Sequence, residues 1–318
     1  FGRLLREFSL EMGLSPVQKV LGDAEASALF DTIASEVIMK IYGDYREIFF
    51  RLSIDDKREA NDWRKKVLEV LKLARENGMT SADVEACAEY SWEKMSAWLP
   101  EPLLDPVILE KDLRSALTIA KTELPGGDTT KKTLEVVETI KSTLADWERN
   151  GSITWQQWAK LSKLDPGKKS REAVLPIQAA ASVHDRHPRL NQDMKQAMFA
   201  VFHCAAEAME TYALEKRKRG LIDFTDQESL ALNLLKDEQH REALKDRISA
   251  VFIDEFQDSS PLQIALNMQL REIAGSATWV GDVKQAIYGF RGTDPTLMQT
   301  AMTSIPDLEI DILDASYR

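Results

Sequence analysis

The chain has 318 residues, 44% hydrophobic and 29% charged, with a formal net charge of −11. That length and apolar content suffice for a real core in two domains, or in one domain with a large insertion, and the acidic balance argues against a coat for nucleic acid while allowing local basic grooves. No window approaches a membrane span, the opening FGRLLREF has no cleavable apolar segment, and Cys87 and Cys204 lack metal-ligand spacing, so a cytoplasmic protein without a zinc or iron–sulfur site is expected. A start at Phe1 rather than Met reads as a piece of a longer polypeptide.

Up to about residue 214 the dominant period is helical. Ala26, Leu29, Phe30, Ile33, Val37 and Ile41 recur at three- and four-residue spacing from Asp23, and Gly43 offers a stop. Similar patterns predict helices over 56–77, 81–98, 107–124 and 131–149, separated by the Pro- and Gly-rich turns LPEPLLDP, LPGGDTT and LDPGKKS. SVHDRHPR, with His184, Arg186, His187 and Arg189, is expected to be a solvated loop, contact with duplex phosphates being the alternative. The longest helix candidate runs from 191 to 219, carries Met194, Met198, Phe202 and Tyr212 on one stripe, and ends in Lys216–Arg219 before Gly220, a basic end that suits the helix dipole and a left-handed cap. His203 and Cys204 inside it are expected to be buried, and Trp63, Trp92, Trp98, Trp147, Trp155 and Trp158 to be packing residues.

After Gly220 the texture changes. SAVFIDEF and SATWVGD are short apolar runs that end in acids, separated by the helical PLQIALNMQLREIAG, and DLEIDIL is a third strand candidate. Strand, helix, strand is the pattern of a parallel sheet covered by helices, which sets a boundary between a helical part, 1–219, and an α/β part, 220–318. Ligands in such sheets bind beyond the carboxyl ends of the strands, where Asp254 and Glu255 arrive. Paired acids there suit a metal and a base; capping of a helix N-terminus is the plainer alternative. The second strand leads into WVGDVKQAIYGFRG, in which Gly281 permits close backbone approach, and Tyr288, Phe290 and Arg291 suit base stacking and phosphate pairing or, taken alone, a core.

IDEFQD followed by VGDVKQAIYGFRG resembles motifs II and III of superfamily 1 DNA helicases of the UvrD/Rep type, with KQAIYxFRG closest to the RecB/AddA-like branch, exonuclease V beta subunit-like. GLIDFTDQ is similar to the family's LDFDDL segment and LDASYR to motif IV, where Ser316 stands in place of the usual Asn. The resemblance implies an α/β fold with a large all-helical insertion: a partial P-loop NTPase (RecA-like) parallel sheet over 220–318, the C-terminal half of motor domain 1A, and a 1B-like helical subdomain over 1–219. It implies an ATP-dependent 3′ to 5′ DNA helicase of recombination and repair, acting on single-stranded and duplex DNA, within a helicase–nuclease complex of several subunits or as a repair helicase without nuclease. Asp254 becomes the Mg²⁺ acid, through water, and Glu255 the catalytic base. Gln285 and Arg318 meet the γ-phosphate, Gln257 and Asp258 support the nucleotide site, and Tyr288, Phe290, Arg291, Asp223 and Phe224 face DNA.

A working motor needs the phosphate loop GxxxxGK[ST], whose amides cradle the phosphates. PGKKSRE misses the pattern because Lys169 intervenes before Ser170, and LPGGDTTKKT has its Lys in the wrong register. ATP and Mg²⁺ are therefore expected for the parent protein, with no cofactor bound by this chain and no hydrolysis by it alone. A catalytically incomplete DNA- or protein-binding module is the rival reading.

Overall fold

Apolar residues at helical spacing make most of the chain α-helical in the computed structural model, which describes residues 1–15, 17–103, 105–124, 128–282, 300, 302–305 and 308–311. In chain order these hold α1 (Gly2–Glu7), β1 (Lys19–Val20), α2 (Asp23–Leu52), α3 (Trp63–Glu76), α4 (Ser81–Ser96), α5 (Pro106–Glu123), α6 (Lys131–Asn150), α7 (Trp155–Leu161), α8 (Arg171–Ser182), α9 (Pro188–Arg219), β2 (Leu221–Ile222), α10 (Phe224–Lys236), α11 (Glu238–Lys245), β3 (Ala250–Ile253), α12 (Pro261–Ile273) and β4 (Ser276–Trp279). The strands form two parallel pairs: Lys19 and Val20 of β1 face Leu221 and Ile222 of β2, and Ala250 to Ile253 of β3 face Ser276 to Trp279 of β4. The third strand candidate, DLEIDIL, shows no strand over 308–311, its described part.

Contacts divide the chain into two units that interleave along the sequence. One gathers the described residues of Phe1–Ile33, Val70–Thr80 and Met209–Arg318; the other gathers Ala34–Glu69 and Ser81–Ala208. The second unit is helical. Its main core joins α5, α6, α7 and α8 through Leu113, Leu117, Ile140, Trp147, Trp158 and Ile177. Local chemistry sets the helix ends: Asp105 accepts from the backbone N–H of Val107 ahead of Pro106, Thr154 and Gln157 form a reciprocal capping box on α7, and Gly151 closes α6 at φ 72°.

Several expectations are corrected in this unit. The stop at Gly43 does not occur, because the apolar stripe resumes beyond it: Ile48 and Phe49 are buried, and Phe49 stacks on Trp63 at 4.3 Å. A mid-helix Gly costs about 1 kcal/mol relative to Ala, which such packing offsets. Segment 184–189 is a 3₁₀ turn running into α9 rather than an open loop. His187 is fully buried edge-on against Trp155 and Trp158, and that burial, helped by the charge of Arg189, pushes its imidazole down to about 4. It is a neutral core residue at pH 7, out of reach of phosphates. Trp98 lies past the last turn of α4 and is 87% exposed. Cys204 is buried as expected, whereas His203 is half exposed and paired with Glu85 at 2.9 Å.

The first unit holds both parallel pairs. Its core packs Leu232 and Leu235 of α10, Leu244 of α11, and Leu262, Leu266 and Ile273 of α12. A smaller cluster centres on Phe256, stacked on Trp279 with ring centroids 5.3 Å apart. Gly220 closes α9 at φ 64°, the left-handed cap expected of it. Among the described residues no helix is long and apolar enough to cross a membrane.

Candidate active site

Parallel pairing delivers the carboxyl ends of β3 and β4 to the same side, the side on which ligands meet such sheets. Ile253 accepts from the N–H of Val280 at 2.8 Å, and Phe256 donates to the carbonyl of Val280 at 2.9 Å, so the Asp254–Glu255 turn lies beside Gly281 and Asp282. Both acids are exposed. Asp254 Oδ1 accepts from the N–H of Glu255 at 2.9 Å, and Glu255 sits at φ 50°, ψ 43°. That left-handed conformation costs a non-glycine residue about 1–3 kcal/mol and is kept where the surroundings impose it, characteristically at working sites.

The plainer explanation for the acids, helix capping, fails on the geometry. The N-cap of α12 is Ser260, whose hydroxyl accepts from Gln263 N–H while the Gln263 side chain returns to the Ser260 N–H, with Pro261 in the first turn. Glu255 precedes only a 3₁₀ turn, Phe256–Asp258, and makes no side-chain capping bond there. Neither acid caps α12, and both remain open to a ligand.

Gln257 ties the site together. It is buried; its Nε2 donates to Glu255 Oε2 at 2.6 Å and its Oε1 accepts from the N–H of Asp282 at 3.0 Å. A Cβ at Gly281 would stand 2.7 Å from that same Oε1, so the expected close approach at Gly281 is real and no other side chain fits without displacing Gln257. Among the described residues, the buried Oδ1 of Asp258, next along, finds no hydrogen-bond partner.

Two exposed carboxylates suit a hard cation. Among the described residues no group of three or more His, Cys, Asp or Glu forms a protein cage, and Mg²⁺ asks for none, since it takes one or two carboxylates and retains water and substrate oxygens. Asp254 and Glu255 therefore fit Mg²⁺ bound with a phosphate substrate, although the described residues alone do not enclose one.

The other expected site residues divide. Gln285, Tyr288, Phe290, Arg291 and Arg318 lie outside the described residues. Asp223 is 3% exposed: its Oδ2 accepts from Arg75 at 2.5 Å, Tyr212 at 2.9 Å and Lys216 at 2.9 Å, while Oδ1 caps α10 through the N–H of Asp226. Burial raises its pKa, but the charges of Arg75 and Lys216 outweigh that and hold it at about 2. In this structure Asp223 serves the fold, and Phe224 beside it, 53% exposed, is the one of the pair open to a ligand. Lys216 is likewise buried between Asp223 and Asp226, unlike the exposed Arg217, Lys218 and Arg219 that follow it. The D-x-x-D spacing of Asp223 and Asp226 is a local signal that could have pointed to this capping pair; Arg75, remote in sequence, left none.

Residues 27–306 match the model of the UvrD/REP helicase N-terminal domain. Among curated relatives, an ATP-dependent helicase/nuclease subunit of Listeria monocytogenes serotype 4b (strain F2365) is 24% identical over 340 residues, covering 93% of this chain and 27% of that protein. The protein of the same name from Ligilactobacillus salivarius (strain UCC118) is 33% identical over 165 residues, 49% of this chain and 13% of its own length. Its namesake in Syntrophomonas wolfei subsp. wolfei (strain DSM 2245B / Goettingen) is 40% identical over 97 residues, 30% of this chain and 8% of its own. The chain thus spans about a quarter of the first of these relatives, 27% of its length.

Proposed function

The chain belongs to the UvrD/REP helicase N-terminal domain family, and from this premise we propose that it is part of an ATP-dependent DNA helicase of recombination and repair, moving 3′ to 5′ within a helicase–nuclease. The observation that carries the reading is the pair of uncapped acids, Asp254 and Glu255, at the carboxyl end of parallel β3 beside β4. The relatives are named as one subunit of a helicase/nuclease, which favours an assembly with other subunits over a solitary repair helicase.

In this reading 220–318 contribute the second half of a RecA-like motor domain and the helices before it a 1B-like insertion. The parallel pair β3–β4, with Phe252 on an open face at 76% exposure, supports a sheet whose second face is covered by further elements of the whole protein. Asp254 would hold Mg²⁺, which supplies neutralisation of charge on the transferring phosphoryl oxygens. Glu255 orients the attacking water and accepts its proton. Tyr288, Phe290 and Arg291 grip single-stranded DNA, and Gln285 and Arg318 report the γ-phosphate to them.

The test is strand displacement by the full-length protein. A duplex with a 3′ single-stranded tail should be unwound in the presence of ATP and Mg²⁺. Unwinding only of 5′-tailed duplexes, or none with either tail, would overturn the proposal.

A further inference from the structure

We infer that Gln257 is a positioning residue that couples the catalytic acid Glu255 to the chain entering the DNA-contacting segment after β4. The inference rests on the proposed function, and it assigns to one side chain the link between the two halves of that function.

A carboxamide has a donor and an acceptor at opposite corners of one rigid plane. Gln257 uses both: Nε2 on Glu255 Oε2 at 2.6 Å, Oε1 on the N–H of Asp282 at 3.0 Å. Buried at 4% exposure, it has little room for another rotamer. Its backbone is fixed too, since Phe256 is bonded to Val280 and Asp258 N–H donates to the carbonyl of Glu255 at 2.9 Å. A shift of Asp282 along the strand axis therefore moves the donor that orients Glu255, and a change at Glu255 is passed the other way. Gly281 belongs to the device, because only hydrogen at that position lets Oε1 sit where it does.

A residue that merely fills space would not show this polarity. Gln257→Met keeps the volume and removes both bonds; Gly281→Ala keeps Gln257 and pushes its oxygen away. Each variant is measured in the full-length protein for ATP hydrolysis with and without single-stranded DNA. Both should lower the DNA-stimulated kcat by about 10- to 100-fold, the usual loss when a partner orienting a catalytic group is removed. KM for ATP should change little, and the basal rate, which also uses Glu255, should fall less than the stimulated rate, so that the stimulation by DNA collapses. The double variant should be no worse than either single one, because both break the same link.

Equal falls in basal and stimulated rates would make Gln257 a support of Glu255 with no link to Asp282 and overturn the inference, as would full DNA stimulation in Gln257→Met or strictly additive losses in the double variant. If Gln257→Met does not fold, Gly281→Ala decides by the same readouts. Glu255→Gln, run alongside, separates the two failures. If it still hydrolyses ATP fully the proposed function falls; if it is inactive while Gln257→Met and Gly281→Ala remain stimulated, only the coupling falls.

Discussion

Replacing Glu255 by Gln should lower DNA-stimulated ATP hydrolysis by about 10²- to 10⁴-fold, the range for loss of a general base, and abolish strand displacement while single-strand DNA affinity is retained. Glutamine is nearly the same shape, and its Oε1 can still accept from Gln257 Nε2, so the turn and the β3–β4 pairing survive. What is lost is the ability to take a proton from water. The left-handed backbone at φ 50° supports the assignment, since a strained non-glycine residue at a strand end is retained where its side chain must be aimed. Rates of ATP hydrolysis and of unwinding, with DNA affinity measured in parallel, check it. Unwinding at the unmodified rate would remove Glu255 from the chemistry, and loss of DNA binding together with hydrolysis would make its role structural.

Asp223→Ala should destabilise the unit that contains it by about 3–5 kcal/mol, the usual cost of leaving buried charges without their partner. The substitution takes the carboxylate from Arg75 and leaves Lys216, whose side chain is 4% exposed, with Asp226 alone. It also removes the cap of α10 and the nearer of two acceptors of the Tyr212 hydroxyl, leaving the Ala26 carbonyl at 3.4 Å. Lys216→Met should cost less, because Arg75, stacked over Phe30 at 5.5 Å and Tyr212 at 5.0 Å, still neutralises Asp223. The pH dependence has a definite sign. With its folded pKa depressed to about 2, Asp223 contributes stability that is fully present above its ordinary unfolded value and is lost as pH falls from about 4 towards 2. Urea midpoints of the two variants at pH 7, and the acid dependence of Asp223→Ala, test this. A loss below about 1 kcal/mol for Asp223→Ala would mean that the network is solvated after all.

The candidate acids were legible because their signal is local. An apolar run ending in Asp254 and Glu255, a second ending in Gly281 and Asp282, and a helical segment between them describe a parallel pair, and β3 and β4 have that relation. Gly281 was legible for the same reason: a glycine at a strand end has few explanations. Whether the acids cap α12 was not legible, because that depends on where α12 begins, and its start is marked by Ser260 and Gln263. Gln257 looked like one polar letter among several; its two bonds run to groups brought together only when β3 and β4 pair. Long-range burial was least visible. Asp223, Lys216 and His187 look like surface residues by type, yet each is buried, Asp223 against Arg75 and His187 against Trp155 and Trp158, and Trp98 leaves its stripe where α4 ends.

The most direct test of the proposed nucleotide site is ATP hydrolysis in the presence of single-stranded DNA by the 318-residue chain and by the same chain joined to a segment bearing a GxxxxGK[ST] loop. Expected is no turnover by the first, and for the second a Mg²⁺-dependent hydrolysis that Asp254→Ala removes. Robust hydrolysis by the chain alone, or hydrolysis by the extended chain that survives Asp254→Ala, would contradict the assignment of Asp254 and Glu255 as half of an ATP site.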